Sequence, residues 1–118
     1  MRVRTAVAVT TSLLAAATCL PDGSAAAAAG RFSYTFMTRQ GPLTSVLTDP
    51  LSGRCLVLPE VIGPRAYGAA YAPWNETGET VRVYTGADCT GGYATLRPHS
   101  RRAPEQVTLR AVWVGWVG

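Results

Sequence analysis

The sequence predicts an all-β fold, a small β-sandwich of two strand-turn-strand units stapled by one disulfide and preceded by a signal peptide. Three observations carry this reading. Past the N-terminal leader, apolar residues alternate in short runs between Gly, Pro, Asn and Asp clusters, and no stretch has a helical period or a capping box. Two segments, VLTDPLSGRCLVLP from Val46 and VYTGADCTGGYATLRP from Val83, overlay as strand, glycine-ended turn (Gly53, Gly91), second strand and proline (Pro59, Pro98). Two cysteines, Cys55 and Cys89, remain after the leader, and in an exported chain such a pair is more often a disulfide than a metal site.

The leader is assigned to residues 1–28. Arg2 and Arg4 precede an apolar run from Ala6 to Ala17, and Ala25 to Ala29 offers several small-residue cleavage positions, the layout of a secretory signal peptide. The apolar run is too short for a membrane span and is followed by Pro21 and Asp22. Cys19 raises lipidation as an alternative, with Thr18 a poor residue before a lipidated cysteine; lipidation and the cleavage position both stay open. Cleavage leaves roughly 90 residues, one domain near the size where a hydrophobic core alone is marginal. A Cys55–Cys89 bridge closes a loop of about 35 residues, and in the chain-entropy model that stabilises by roughly 4 kcal/mol.

All eleven basic residues are arginine, which with the alanine and glycine content suggests a high-GC, actinomycete-type gene. The net charge is +4, and about +3 once Arg2, Arg4 and Asp22 are removed. Apart from Arg101 and Arg102 the arginines are dispersed, so the chain lacks the clustered basic face of a nucleic-acid binder.

In chain order, residues 29–43 form an N-terminal segment in which Phe32, Tyr34 and Phe36 share one face, either an edge strand or an ordered tail. The β domain proper is assigned to 44–118. There, 44–48 and 54–58 flank the turn DPLSG as a hairpin, 59–67 is a proline-bounded loop, and 69–74 is a short strand stopped by Asn75-Glu76-Thr77-Gly78. Residues 81–96 make the central hairpin, with a corner folded around Gly86, Asp88, Cys89, Gly91 and Gly92. Residues 97–105 are a polar, exposed connection, and 107–117 are one strand apolar on both faces, interior to the sheets.

The run Val83-Tyr84-Thr85-Gly86-Ala87-Asp88-Cys89-Thr90-Gly91, an aromatic residue followed seven positions later by glycine, resembles the Greek-key signature of the βγ-crystallin superfamily. The chain is similar in outline to small secreted single-domain actinomycete members. The resemblance spans about Val46 to Trp116 and is specific in residues 81–96. It implies two Greek-key-like units in which Tyr84 packs over the folded hairpin and Gly91 adopts a positive φ that glycine tolerates. In the first unit Val46 replaces the expected aromatic residue. The calcium motif of the family is approached only by residues 75–80, with Asn75, Glu76 and Thr80 as weak ligand candidates, and Ala111 stands where a hydroxyl residue is expected in the second unit. This is a poor oxygen set for calcium, and no cofactor is expected.

Other candidate residues each have an ordinary reading beside the functional one. His99 is the sole histidine and has no acid or nucleophile partner, so it reads as a solvated loop residue and the protein as a non-enzyme. The exposed, proline-bounded loop His99-Ser100-Arg101-Arg102 reads either as a plain connection or as a partner-binding loop of the kind a preorganised peptidase inhibitor presents. Trp74, Trp113 and Trp116 read as core at strand spacing, or else as an aromatic patch for sugars or peptides. Asn75-Glu76-Thr77 matches the glycosylation pattern and reads as turn chemistry. A redox role lacks a close Cys-x-x-Cys.

The functional expectation is a secreted, non-catalytic extracellular binding protein whose partner is another extracellular protein, with inhibition of a secreted peptidase as the concrete form. The alternatives are an antimicrobial or killer-toxin-like protein and a calcium-stabilised surface structural protein. No nucleic-acid partner and no membrane span after signal cleavage are expected.

Overall fold

Phe32 and Tyr34 fall on one side of an extended run and are almost fully buried, while Arg31 and Met37 on the other side are exposed. That period of two makes residues 30–38 a strand that packs one face inward. The computed structural model describes residues 26–116. Its strands are β1 (Gly30–Thr38), β2 (Gly41–Thr48), β3 (Cys55–Val57), β4 (Ala70–Thr77), β5 (Val81–Tyr84), β6 (Tyr93–Leu96), β7 (Thr108–Leu109) and β8 (Ala111–Val114). A 3₁₀ turn, Pro59–Val61, follows β3. No helix among the described residues is long and apolar enough to cross a membrane.

The strands form two antiparallel sheets, ordered β2-β1-β4-β7 and β3-β8-β5-β6. The chain thus divides into two runs of four strands, β1 to β4 and β5 to β8. Within each, the first, second and fourth strands share a sheet and the third joins the sheet of the other run. Phe32, Tyr34, Ala70 and Leu109 of the first sheet meet Val81, Val83, Val112 and Val114 of the second, with Leu58 and Val61, in one buried cluster.

This exchange revises several expectations. Residues 44–48 and 54–58 are not a hairpin, because β2 and β3 are edge strands of different sheets. The partner of β2 is β1, which it joins through the two-residue turn Arg39-Gln40, so β1 is an interior strand and neither a tail nor an edge. The overlay of Val46 on Val83 matched the second strand of one run to the first strand of the other. The expected single strand over 107–117 is instead two, β7 and β8, within its described part. The chain changes sheets at Arg110, whose N–H bonds Tyr84 O at 2.7 Å and whose carbonyl accepts from Leu58 N at 3.0 Å. Leu109 is buried in the core cluster, whereas Ala111 is buried on the outer face of the second sheet, opposite Tyr84. Residues 75–77 do not stop a strand either, since β4 runs on through Thr77.

The segment assigned to the leader, residues 1–28, lies outside the described residues except for 26–28, which belong to the fold. Ala27 bridges Leu51, Ala28 N donates to Pro50 O at 2.8 Å, Ser52 N donates to Ala26 O at 2.7 Å, and Ala28 is 1% exposed within the core cluster. A chain beginning at Gly30 forfeits those bonds and that burial, a loss of about 2–3 kcal/mol from two net hydrogen bonds and a buried methyl. Comparing chains that begin at Ala26 and at Gly30 by thermal unfolding should therefore show the shorter one melting on the order of 10 °C lower. Equal melting temperatures would mean that residues 26–29 are not part of the stable unit.

Tyr34 carries a displaced ionisation in the core. Its hydroxyl donates to Glu60 Oε1 at 2.7 Å, which ties β1 to the 3₁₀ turn. Burial, with the Glu60 carboxylate adding to it against an opposing bond from Ser45, pushes the phenol from 10.0 up to about 12. A raised acid favours its neutral form in the folded state, so this stabilisation is complete below about pH 10 and is lost as pH rises toward about 12. Thermal unfolding across that window should show a steeper fall for the unmodified protein than for Tyr34→Phe, which has no proton to lose. Parallel curves would contradict the assignment.

Candidate functional site

β4 is interior to its sheet, and its side chains alternate between the core and the outer face. Asn75 and Thr77 point inward and are fully buried, whereas Trp74 and Glu76 are half-buried on the outer face. A buried amide is tolerated only when its polar atoms are paired, and Asn75 meets that condition completely. Its Nδ2 group donates to the carbonyls of Glu79 (2.8 Å), Leu96 (3.1 Å) and Arg97 (2.9 Å). Its Oδ1 accepts from Thr77 N at 3.0 Å and from Thr77 Oγ1 at 2.7 Å. Asn75 therefore ties the end of β4 to the end of β6 in the other sheet. It is neither a calcium ligand open to solvent nor an accessible glycan acceptor.

From that tie, residues 97–107 run back along β4. His99 N donates to Thr77 O at 3.1 Å, Ser100 N to Asn75 O at 3.1 Å, Ala103 N to Pro73 O at 2.8 Å, and Val107 O accepts from Ala72 N at 3.2 Å. The expected exposed connection is thus anchored to the sheet through its main chain at these four points, and Arg101 and Arg102 are exposed between two of them. Between the Ser100 and Ala103 anchors the segment carries Arg101 and Arg102, while β4 spans the matching interval with Trp74 alone. Two residues opposite one is the geometry of a bulge, which re-aims side chains.

The bulge and the tryptophan form the candidate site. Trp74 Nε1 donates to Ser100 O at 3.0 Å, which fixes the indole, and the Arg102 guanidinium lies 4.8 Å from the centre of its ring. Beside them, Arg31 approaches Glu76 at 3.9 Å, a surface pair of small energetic value. Together with Ser33, Thr44 and Val46 these residues line a shallow cleft of about 220 Å³ on the outer face of the first sheet. An aromatic face, cations and hydroxyls on a flat strand surface suit a protein or peptide ligand. Arg101 is exposed and has no ion-pair partner among the described residues.

The remaining candidates lie elsewhere. Cys55 and Cys89 form the disulfide, with Cα atoms 5.9 Å apart. Cys55 is in β3 and Cys89 in the β5-β6 connection, so the bridge draws that connection back across β5 and β8, where Cys89 Sγ stands 3.6 Å from Val112 O. Tyr84 and Ala111, paired neighbours in register, are 8% and 0% exposed beneath it. Tyr93 meets Tyr84 edge-on at 5.9 Å and carries the Arg82 guanidinium over its other side at 4.1 Å. Gly91 sits in the connection at φ +84°, where a Cβ would lie 2.8 Å from Thr85 Oγ1.

Glu76 faces outward, away from Asn75, and Thr80 uses its carbonyl to accept from Gly115 N at 2.7 Å, so the three calcium candidates do not converge. Among the described residues no group of three or more His, Cys, Asp or Glu is placed to hold a metal ion. His99 is exposed at φ +51°. The tryptophans are not core, as strand spacing had suggested. Trp74 and Trp113 occupy the outer faces of opposite sheets and Trp116 is 86% exposed, because the valines and aromatics already named fill the interior. The pairing of Trp74 with Arg102 had no signal in the sequence, since it depends on the run of 97–107 along β4.

No protein-family model matches this chain, and no curated protein or solved structure matches it.

Asn75→Asp should be far more damaging than its size implies. A carboxylate would face three carbonyl oxygens that the amide now donates to, leaving a buried charge and unpaired acceptors at a cost of about 3 kcal/mol or more. A melting temperature at least 10 °C below that of the unmodified protein at neutral pH is expected by calorimetry. A drop of only one or two degrees would show that the clamp contributes little.

Proposed function

We propose that the chain is a secreted, non-catalytic binding protein with a crystallin-like pair of Greek keys, and that it engages an extracellular protein through the Arg101-Arg102 bulge and Trp74. The most concrete form of this reading is inhibition of a trypsin-like secreted peptidase. Support for the fold comes from the exchange of the third strand between two four-strand runs and from the folded β5-β6 connection over Tyr84. The disulfide is compatible with an oxidising compartment.

The observation that carries the functional reading is the backbone anchoring of the arginines. Ser100 N and Ala103 N hold the segment on either side of Arg101-Arg102, so the two side chains are presented from a main chain that is already ordered. Preorganisation of this kind removes much of the entropy that a flexible loop loses on binding. Peptidases that cleave after arginine receive a guanidinium in an acidic pocket, and Arg101 presents one that is exposed. Arg102, laid over Trp74, would stiffen the base of the loop.

Chromogenic-substrate assays against a panel of trypsin-like secreted serine peptidases test the proposal. Competitive inhibition is expected for the oxidised protein. Arg101→Ala with Arg102→Ala should weaken it at least tenfold, about 1.4 kcal/mol, while shifting the melting temperature by only a few degrees. Absence of inhibition at large molar excess, or inhibition untouched by the double substitution, would remove the inhibitor reading.

A further inference from the structure

Of the four sheet edges, three are protected in recognisable ways. β3 has three residues and β6 has four. β7 has two residues and is continued by a segment that holds Pro98, Pro104 and the arginine pair. β2 is different, with eight residues, GPLTSVLT, no charged side chain, and Leu43 and Val46 about half exposed. Long, uncharged edges are what soluble proteins ordinarily avoid, because their free N–H and C=O groups pair with any available strand.

The pairing register shows which groups are free. β1 and β2 are joined by a two-residue turn, with Thr38 opposite Gly41. In such a hairpin the closing pair exchanges hydrogen bonds and the pattern alternates from there. Leu43, Ser45 and Leu47 therefore bond to β1, and Thr44, Val46 and Thr48 direct their N–H and C=O groups outward. Pro42, the next outward position, has no N–H and ends the series at one side. Asp49, at φ +47°, turns the chain away at the other. None of the three outward N–H groups has a backbone partner among the described residues.

From this edge we propose that the protein forms a two-fold dimer by antiparallel pairing of β2 with β2 of a second copy, centred on Val46. The outward residues read Thr-x-Val-x-Thr, the same in both directions. A two-fold axis at Val46 sets Val46 against Val46 of the other copy and Thr44 against its Thr48, and all three are positions whose hydrogen-bonding groups point outward. Six main-chain hydrogen bonds result, two for each of the three opposed pairs. Threonine pairs are among the favourable cross-strand combinations, and no like charges are opposed within the paired strands. A palindromic surface of this kind is what a two-fold interface requires, since each copy must supply both halves of every contact. An unrelated extended peptide would satisfy the main-chain groups, but nothing in such a ligand calls for the palindrome. The dimer joins two four-stranded sheets into one of eight strands, with both Trp74-Arg102 clefts on a continuous outer face.

The strand pair alone is small, so a weak dimer with a dissociation constant of roughly 10–100 µM is expected. Sedimentation of the oxidised protein across a concentration series is the first measurement, and Val46→Lys, which opposes two cations at the axis, should weaken association at least tenfold. Val46→Pro, which removes an outward N–H without touching the bonds to β1, should do the same. Should either variant fold poorly, amide hydrogen exchange on the unmodified protein decides: Thr44, Val46 and Thr48 should become at least fivefold slower as concentration rises through the association range. A monomer at every concentration up to about 1 mM, or a dimer unaffected by the Val46 substitutions and with those amides unprotected, overturns the proposal.

Discussion

The side-chain amide of Asn75 is the constraint on which the arrangement of the first sheet depends. A buried amide has two donor and two acceptor positions to satisfy, and here the two N–H groups are shared among the carbonyls of Glu79, Leu96 and Arg97 while the oxygen accepts twice from Thr77. Because Leu96 ends β6 in the opposite sheet and Arg97 follows it directly, the residue fixes how the two sheets meet at this end and where the chain leaves β6. It leaves directly against the edge of β4, and the segment then follows that edge until β7 pairs with it. The placement of Arg101 and Arg102 opposite Trp74 follows from that starting point. A buried side chain thus sets the geometry of an exposed one, without any contact between them.

The two outer faces are treated differently, and the disulfide is the reason. On the second sheet, the bond from Cys89 to Cys55 pulls the β5-β6 connection over β5 and β8, and buries Ala111 and Tyr84 on the side that would otherwise be wet. That sheet has apolar packing on both faces, one against the other sheet and one beneath its own connection. This is a practical solution for a domain of about 90 residues, where one core and the conformational entropy of the chain nearly cancel. Among the described residues the first sheet has no such cover. Its hairpin turns in two residues, so nothing is available to fold back, and Trp74, Val46 and Ser33 remain at the surface. The face left open is the one with the arginines.

Class and staple were legible in the sequence because both rest on local or countable features. Alternation in β1, the glycine-rich corner and the absence of any helical period are contained within short windows, and the two cysteines leave one pairing. The exchange of β3 and β7 was not legible. It is a choice between partners, and the turn DPLSG after Val46 looks the same whether the chain doubles back or crosses to another sheet. Residues 107–117 show the same limit: apolar side chains on both faces fit an interior strand, and they fit equally well a chain that changes sheets at Arg110. The tryptophans were misplaced for a related reason. Alternation tells which residues share a face, but whether that face is the inner one depends on the opposite sheet, here filled by Val81, Val83, Val112 and Val114.

Protection of the edges follows the same asymmetry. The long connection that begins at Asn75 covers the free side of β4, so only a short strand and a proline-flanked segment are left on that flank of the first sheet. Among the described residues nothing comparable reaches β2, because the chain leaves it at Asp49 to cross to the second sheet, with Asp49 Oδ1 accepting from Gly30 N at 2.9 Å as it turns. The strand exchange that builds the common core therefore also removes the element that would have paired with β2. In a hairpin, β3 would have lain against it. Because β3 is committed to β8, the long edge stays open beside the same outer face that carries Trp74, and any surface that covers the one lies next to the other.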